Sequence, residues 1–155
     1  MAQIQKITPF LWYDGRAMEA AEFYVSIFEN ARIVDARKLG GGPAESASIV
    51  SFELDGQRFT ALDGGPMFQF SAAISFVVNC DTQDEVDHFW ERLGEGGEHD
   101  MCGWLRDKFG VSWQIVPSAV PELLGDPDKS VAVMEALLGM QKIDIQTLRD
   151  AYDSE

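Results

Sequence analysis

Few residues of this chain have the types and spacing for chemistry, and the sharpest of them lie between Met101 and Pro117. There Ser112, Gln114 and Val116 alternate with Trp113 and Ile115, the period-two pattern of a strand with two different faces. A glutamine amide offers both donors and an acceptor, so Gln114 either bonds within the sheet or holds a ligand. His88 falls in a helical segment and His99 beside an edge-strand candidate, and surface positions suit both. Asp63 directly follows a strand candidate; it could bind a cation or a polar ligand, and a turn-capping carboxylate explains it more simply. Ser71, Ser75 and Ser112 have no histidine neighbour in an elbow setting, so no nucleophile motif is present and the catalytic residues stay unassigned. Gly40-Gly41-Gly42 precedes a strand candidate instead of opening a helix after one, which marks a loop and not a dinucleotide cradle. Cys80 and Cys102 match no metal or redox spacing and read as reduced thiols.

The chain carries 26 acids against 12 bases, a formal charge of -14. Such a surface repels phosphate backbones and anionic lipids, and the densest basic group, Arg32, Arg37 and Lys38, is small. Nucleic acid and membrane are therefore not expected as partners. No apolar run approaches the roughly 20 residues of a membrane span, and the opening Met1 to Pro9 lacks the apolar core of a signal peptide. A cytoplasmic protein is expected. At 155 residues it suits one domain or two small halves sharing a core.

The elements that must position these residues come in two similar runs. Strand candidates at Ile7 to Tyr13, Ala31 to Leu39, Ala47 to Leu54 and Gln57 to Leu62 surround a helix whose apolar positions Ala17, Ala20, Ala21, Tyr24, Ile27 and Phe28 recur at helical spacing, with Asp14 as its N-cap. The second run has strands at Ala73 to Asn79, Glu98 to Met101, Gly103 to Lys108 and Val111 to Val116. Its helix places Val86, Phe89, Trp90 and Leu93 on one face, with Asp81 as cap and Asp84 and Glu85 complementing the helix dipole. Phe23, Tyr24 and Ile27 lay onto Phe89, Trp90 and Leu93, and Gly56-x-x-Phe59-Thr60 onto Gly110-x-x-Trp113-Gln114. This is an internal repeat of β-α-β-β-β order. Helical spacing then returns at Ala119 to Leu124, Ser130 to Leu138 and Ile143 to Tyr152, the last capped near Asp144, with Val131, Met134 and Leu138 on one stripe.

Leu62-Asp63-Gly64-Gly65-Pro66, Phe70-Ser71, Ala73 to Phe76, Gly96-Gly97-Glu98, Cys102-Gly103-Trp104, Trp113 to Pro117 and Met140 to Asp144 together resemble the PhnB-like branch of the vicinal-oxygen-chelate superfamily. That is the glyoxalase and bleomycin-resistance fold, in a branch often labelled a 3-demethylubiquinone-9 3-methyltransferase domain. Family members show Asn at Asp63 and Glu at Ala72. The resemblance implies an α+β fold in which paired βαβββ modules form a curved sheet cup. Residues 1–117 would be the glyoxalase-like domain, with modules at about 1–66 and 71–117, and residues 118–155 a helical extension. In metal-using superfamily members His or Glu from the first and last strand of each module bind a divalent ion. The resemblance and the repeat together map those positions to Thr8, Thr60, Ala73 and Gln114. Two hydroxyls, an amide and a methyl offset little of an ion's dehydration, so no metal and no cofactor is expected. Alternation adds Phe10, Trp12, Leu62, Ser75 and Val77 to the cup lining, with Trp104 at its rim. Aromatic walls with a few polar groups suit a small, partly apolar ligand.

The expected function is thus small-molecule binding in a cup without a typical metal site. The alternatives are a glyoxalase- or dioxygenase-type metal enzyme, the methyltransferase of the family label, and a homodimeric scaffold with a vestigial cup. For methyl transfer, no Gly-rich loop follows an opening strand in a doubly wound pattern. A homodimer is expected, because superfamily members pair subunits over exposed edges and the stripe Val131, Met134, Leu138 calls for a covering surface.

Overall fold

A computed structural model describes residues 5–38 and 48–154. The loop expected over Gly40 to Ser46, the strand ends at Leu39 and Ala47, and Met1 to Ile4 of the opening segment lie outside the described residues. The order is β1 (Phe10–Tyr13), α1 (Ala17–Ile27), β2 (Ala31–Lys38), β3 (Ser48–Leu54) and β4 (Gln57–Asp63). It continues with β5 (Ser75–Cys80), α2 (Gln83–Gly94), β6 (Glu98–His99), β7 (Trp104–Arg106) and β8 (Ser112–Pro117), then α3 (Ala119–Leu124), α4 (Ser130–Leu138) and α5 (Ile145–Asp153). Two compact units result, Met1–Gln69 and Phe70–Glu155. Each holds a four-stranded sheet of the same design, β1-β4-β3-β2 in one and β5-β8-β7-β6 in the other. In both, the first pair is parallel and the others antiparallel. The repeat read from the sequence is therefore a repeat of topology.

In the first unit alternation decides the faces. Leu11, Tyr13, Val50, Phe52, Phe59 and Ala61 are buried, and α1 adds Ala17, Ala20, Ala21, Tyr24 and Ile27 to the same core. Phe52 stacks on Phe59 at 5.3 Å and on Tyr24 at 6.0 Å, and the Tyr13 and Tyr24 hydroxyls lie 3.2 Å apart. Burying a side chain of this size contributes about 1.5 to 3 kcal/mol. The cap of α1 differs from expectation. Arg16 occupies the N-cap position with its side chain paired to Glu19 and making no capping bond, and Asp63 Oδ1, at the end of β4, accepts from the Ala17 amide at 2.7 Å. The Asp14–Gly15 turn, with Gly15 at φ +76°, separates Asp14 from the first helical amide, and the neighbouring strand delivers a carboxylate there instead.

In the second unit Val78, Cys80, Leu105, Trp113 and Ile115 share a core with Val86 and Leu93 of α2. The Thr82 hydroxyl, one residue past the expected Asp81, caps α2 by accepting from the Glu85 amide at 3.2 Å, the geometry a hydroxyl at the N-cap adopts. The β7–β8 turn is built on Asp107, a buried carboxylate. Its Oδ1 accepts from the Phe109 and Val111 amides at 2.9 and 3.0 Å, and its Oδ2 from the Trp113 indole at 2.9 Å. Gly110 closes this turn at φ +94°, a conformation that disfavours any side chain.

The three last helices form their own apolar cluster around Val120, Leu123, Val133, Leu137, Ile143 and Leu148, with Asp144 capping α5 through the Thr147 amide. They are tied to the rest of the unit through backbone. Cys102 and Gly103 donate to the Met140 and Gln141 carbonyls, both at 2.8 Å, and the Gln83 amide bridges Ile143 and Ile145. The expected stripe Val131, Met134 and Leu138 is exposed, whereas Val133 and Leu137 make the packed face, because α4 is apolar nearly all round. Among the described residues, no helix is long and apolar enough to cross a membrane.

Truncating Trp113 to Ala removes both a core ring and the partner of a buried carboxylate. A loss of about 3 to 5 kcal/mol in urea unfolding is expected, and a loss under about 1 kcal/mol would contradict this packing.

Candidate functional site

The face of each sheet turned away from α1 or α2 is where the sequence places its candidate residues. On the first sheet the parallel register sets Phe10 beside Thr60 and Trp12 beside Leu62. The antiparallel register continues these rows to Ser51 and Ile49. Phe10 stands 55% exposed, and Trp12, Thr60 and Leu62 are partly buried. Thr8 lies ahead of β1, its hydroxyl donating to the Gln5 carbonyl at 3.3 Å. Trp12 is less open than an apolar wall would be. Its indole donates to the Gly65 carbonyl at 2.9 Å, and Phe68 meets its ring edge-on at 5.0 Å. A Cβ at Gly64 would lie 2.1 Å from the indole, so only glycine lets this segment cross the ring.

One row further along, Arg58 lies opposite Glu53, and Glu53 opposite Arg32. Glu53 accepts from both, 3.1 Å from Arg32 Nε and 3.1 Å from Arg58 Nη2. The Arg32 bond first, and then the Arg58 bond, hold the Glu53 carboxyl below its ordinary pKa. Sequence reasoning missed this group, although Arg58, Thr60 and Leu62 share parity on one strand and Glu53, Ser51 and Ile49 on its neighbour. Arg37 and Asp35 pair on the same face at 2.6 Å, brought there by an irregularity between Ile33 and Asp35.

On the second sheet Gln114 sits between Val77 of β5 and Trp104 of β7. Its Nε2 donates to the Ser75 hydroxyl at 2.9 Å, so the amide is bonded within the sheet while remaining partly exposed. Val77 is 49% exposed and Trp104 partly buried. Val116, next along the same face, packs against the C-terminal helices, which limits the open surface at that end. Ala73 lies in the turn before β5, its amide bonded to the Ser71 hydroxyl at 3.3 Å.

His88 and His99 take no part in either face. His99 stacks on Trp90 at 4.3 Å with Nε2 2.9 Å from the Trp90 carbonyl. Both cysteines are free. Burial, reinforced by Glu85 and Asp81, pushes the Cys80 thiol up to about 12, which leaves it unreactive near neutrality. Among the described residues, no three His, Cys, Asp or Glu side chains are grouped to hold a metal. At the expected ligand positions the strands offer only the Thr60 hydroxyl and the Gln114 amide, neutral donors that do not fit a divalent ion.

Because Gly64 lies against the indole, Gly64→Ala should push the 64–68 segment off Trp12. Overpacking of this kind costs about 1 to 3 kcal/mol, and tryptophan fluorescence should report a more hydrated ring. Unchanged stability and emission would mean that the segment does not rest there.

Comparison with known proteins gives these faces a family. The family model described as 3-demethylubiquinone-9 3-methyltransferase matches residues 5–116. Among solved structures, a putative 3-demethylubiquinone-9 3-methyltransferase, the PhnB protein from Bacillus cereus, is 36% identical over 74% of this chain and 100% of its own, with a TM-score of 0.68. Protein PA1353 from Pseudomonas aeruginosa is 20% identical over 74% of this chain and 98% of its own, TM-score 0.63. The fosfomycin resistance protein FosX from Listeria monocytogenes, solved with Mn(II) and sulfate, is 18% identical over 73% of this chain and 92% of its own, TM-score 0.54, a likeness of fold. No curated protein matches the chain. By family model and by identity, the chain belongs to the 3-demethylubiquinone-9 3-methyltransferase-labelled, PhnB-like branch of the vicinal-oxygen-chelate superfamily.

Proposed function

We propose that the sheet faces turned away from α1 and α2 each offer a surface for a small, partly apolar molecule, using aromatic or aliphatic contact and neutral hydrogen-bonding groups and no resident metal or cofactor. The observation that carries this reading is the exposure of apolar side chains beside neutral polar groups, Phe10 beside Thr60 on the first unit's face and Val77 beside Ser75 and Gln114 on the second unit's. Apolar surface with a few polar groups is the usual make-up of a ligand site. Thr8, Trp12 and Leu62 add to the proposed lining on the first unit's face, and Trp104 to that on the second unit's. The Mn(II) held by FosX favours a metal enzyme as the second reading. The neutral donors at Thr60 and Gln114 weigh against carrying it over. The methyltransferase description likewise needs a nucleoside-sulfonium site, and the segment after β1, Asp14-Gly15-Arg16, is no glycine-rich cradle.

The test is calorimetric titration with small aromatic and dicarbonyl compounds. A binder found this way should lose roughly 0.5 to 1.5 kcal/mol of affinity in Gln114→Ala, in a protein that still unfolds cooperatively. If Gln114→Ala destabilises the fold as severely as loss of Trp113, or leaves the affinity of every binder untouched, the proposed face is wrong.

The same reading includes a homodimer in the cytoplasm. Val131 at 66% and Leu138 at 59% exposed, with Met134, form an uncovered apolar stripe on α4, the kind of surface that subunit pairing buries. Sedimentation at micromolar concentration should give a dimer, and Val131→Glu should shift it toward monomer. A monomeric wild type would remove this part of the proposal.

A further inference from the structure

The open face of the first sheet carries a charge arrangement that a purely apolar ligand does not require. Arg32 and Arg58 share one carboxylate, Glu53, each through a single donor. A guanidinium has five donors in a fixed fork, so most of theirs are not used in the triad. Arg58 is the more constrained of the two. Its backbone amide and carbonyl are both bonded by the Gln5 side chain, and its buried Nε finds no partner among the described residues. Arg37 and Asp35 on the same face cancel each other, which leaves the triad with one net positive charge. In a chain of formal charge -14, such an excess on one strand row is not a general property of the surface.

We propose that the Arg32–Glu53–Arg58 triad anchors the carboxylate of a small monoanionic ligand whose apolar body lies over Phe10. This rests on the reading of the open faces as a small-molecule site and names the class of molecule. Two guanidiniums and one carboxylate leave a single positive charge to be met, which one carboxylate matches. Same-face residues on a strand repeat every ~7 Å, so a head at the Arg58 row and a ring at the Phe10 and Thr60 row ask for three or four bonds between them. The Glu53 carboxylate, kept ionised by its two arginines, holds the guanidiniums apart and limits the charge available to one anion.

The probe is 4-phenylbutyrate, with 4-phenylbutyramide as its neutral isostere, titrated calorimetrically at low salt into the intact protein. Wild type should prefer the acid about tenfold, the scale of one charge-assisted hydrogen bond. Arg32→Gln and Arg58→Gln should bring that preference toward unity with affinity for the amide unchanged, and Glu53→Gln, which frees both guanidiniums, should raise it. Arg32, with a side chain 65% exposed, can be changed without threat to folding, so its variant decides if Arg58→Gln does not fold. Binding of the amide as tightly as the acid, or an acid preference that survives both arginine changes, overturns the triad's role and leaves the small-molecule reading intact. Failure of wild type to bind either probe, or any member of the aromatic panel, overturns both.

Discussion

The bonds from the Asp107 carboxylate to the Phe109 amide, the Val111 amide and the Trp113 indole are what the second sheet depends on. Burying a charged carboxylate is costly unless its oxygens are fully engaged, and here three donors converge on it. The return is register. Because side chains alternate along a strand, a slip by one residue would carry Trp113 to the open side and Gln114 into the core. Asp107 fixes the turn and the ring together, and so decides that Trp113 and Ile115 pack beneath α2 while Gln114 faces outward beside Val77 and Trp104. Asp63 does related work in the first unit, where it ends β4 and caps α1 in a single contact.

Much of this was legible because periodicity and repetition point the same way. The alternation around Trp113, the helical spacing from Ala17 to Ile27 and the matched turns at Gly56 and Gly110 each express a face that must be buried, and the two sheets share one strand order. What escaped reading depends on contacts between residues far apart in the chain. Asp14 resembles a cap, yet the cap comes from Asp63 across the sheet, a partner that local sequence cannot identify. The closure of Gly64 and Phe68 over Trp12 and the convergence of Arg32 and Arg58 on Glu53 likewise appear only once strands are paired. On α4 an apolar residue at almost every position hid which stripe would pack.

The family match ends at residue 116, and the chain beyond it folds into a helical cluster with its own core, bonded into the second unit through Met140, Gln141 and Ile143. Its contact with Val116 touches the open face directly. The helices therefore bear on the extent of that face as well as on stability, and the Cys102–Gly103 turn, with both residues at positive φ, is the point where the two parts are laced together.

The orientation of β8 is the claim on which the site rests, and exchange of the four tryptophan indole protons, followed by NMR, tests it most directly. Bonded to a buried carboxylate, the Trp113 indole proton should exchange only through global unfolding, whereas that of Trp104, on the open face, should exchange by local motion and orders of magnitude faster. A Trp113 proton that exchanges as readily as that of Trp104 would contradict the face assignment, and with it the placement of Gln114, Val77 and Trp104 on the proposed ligand-binding surface.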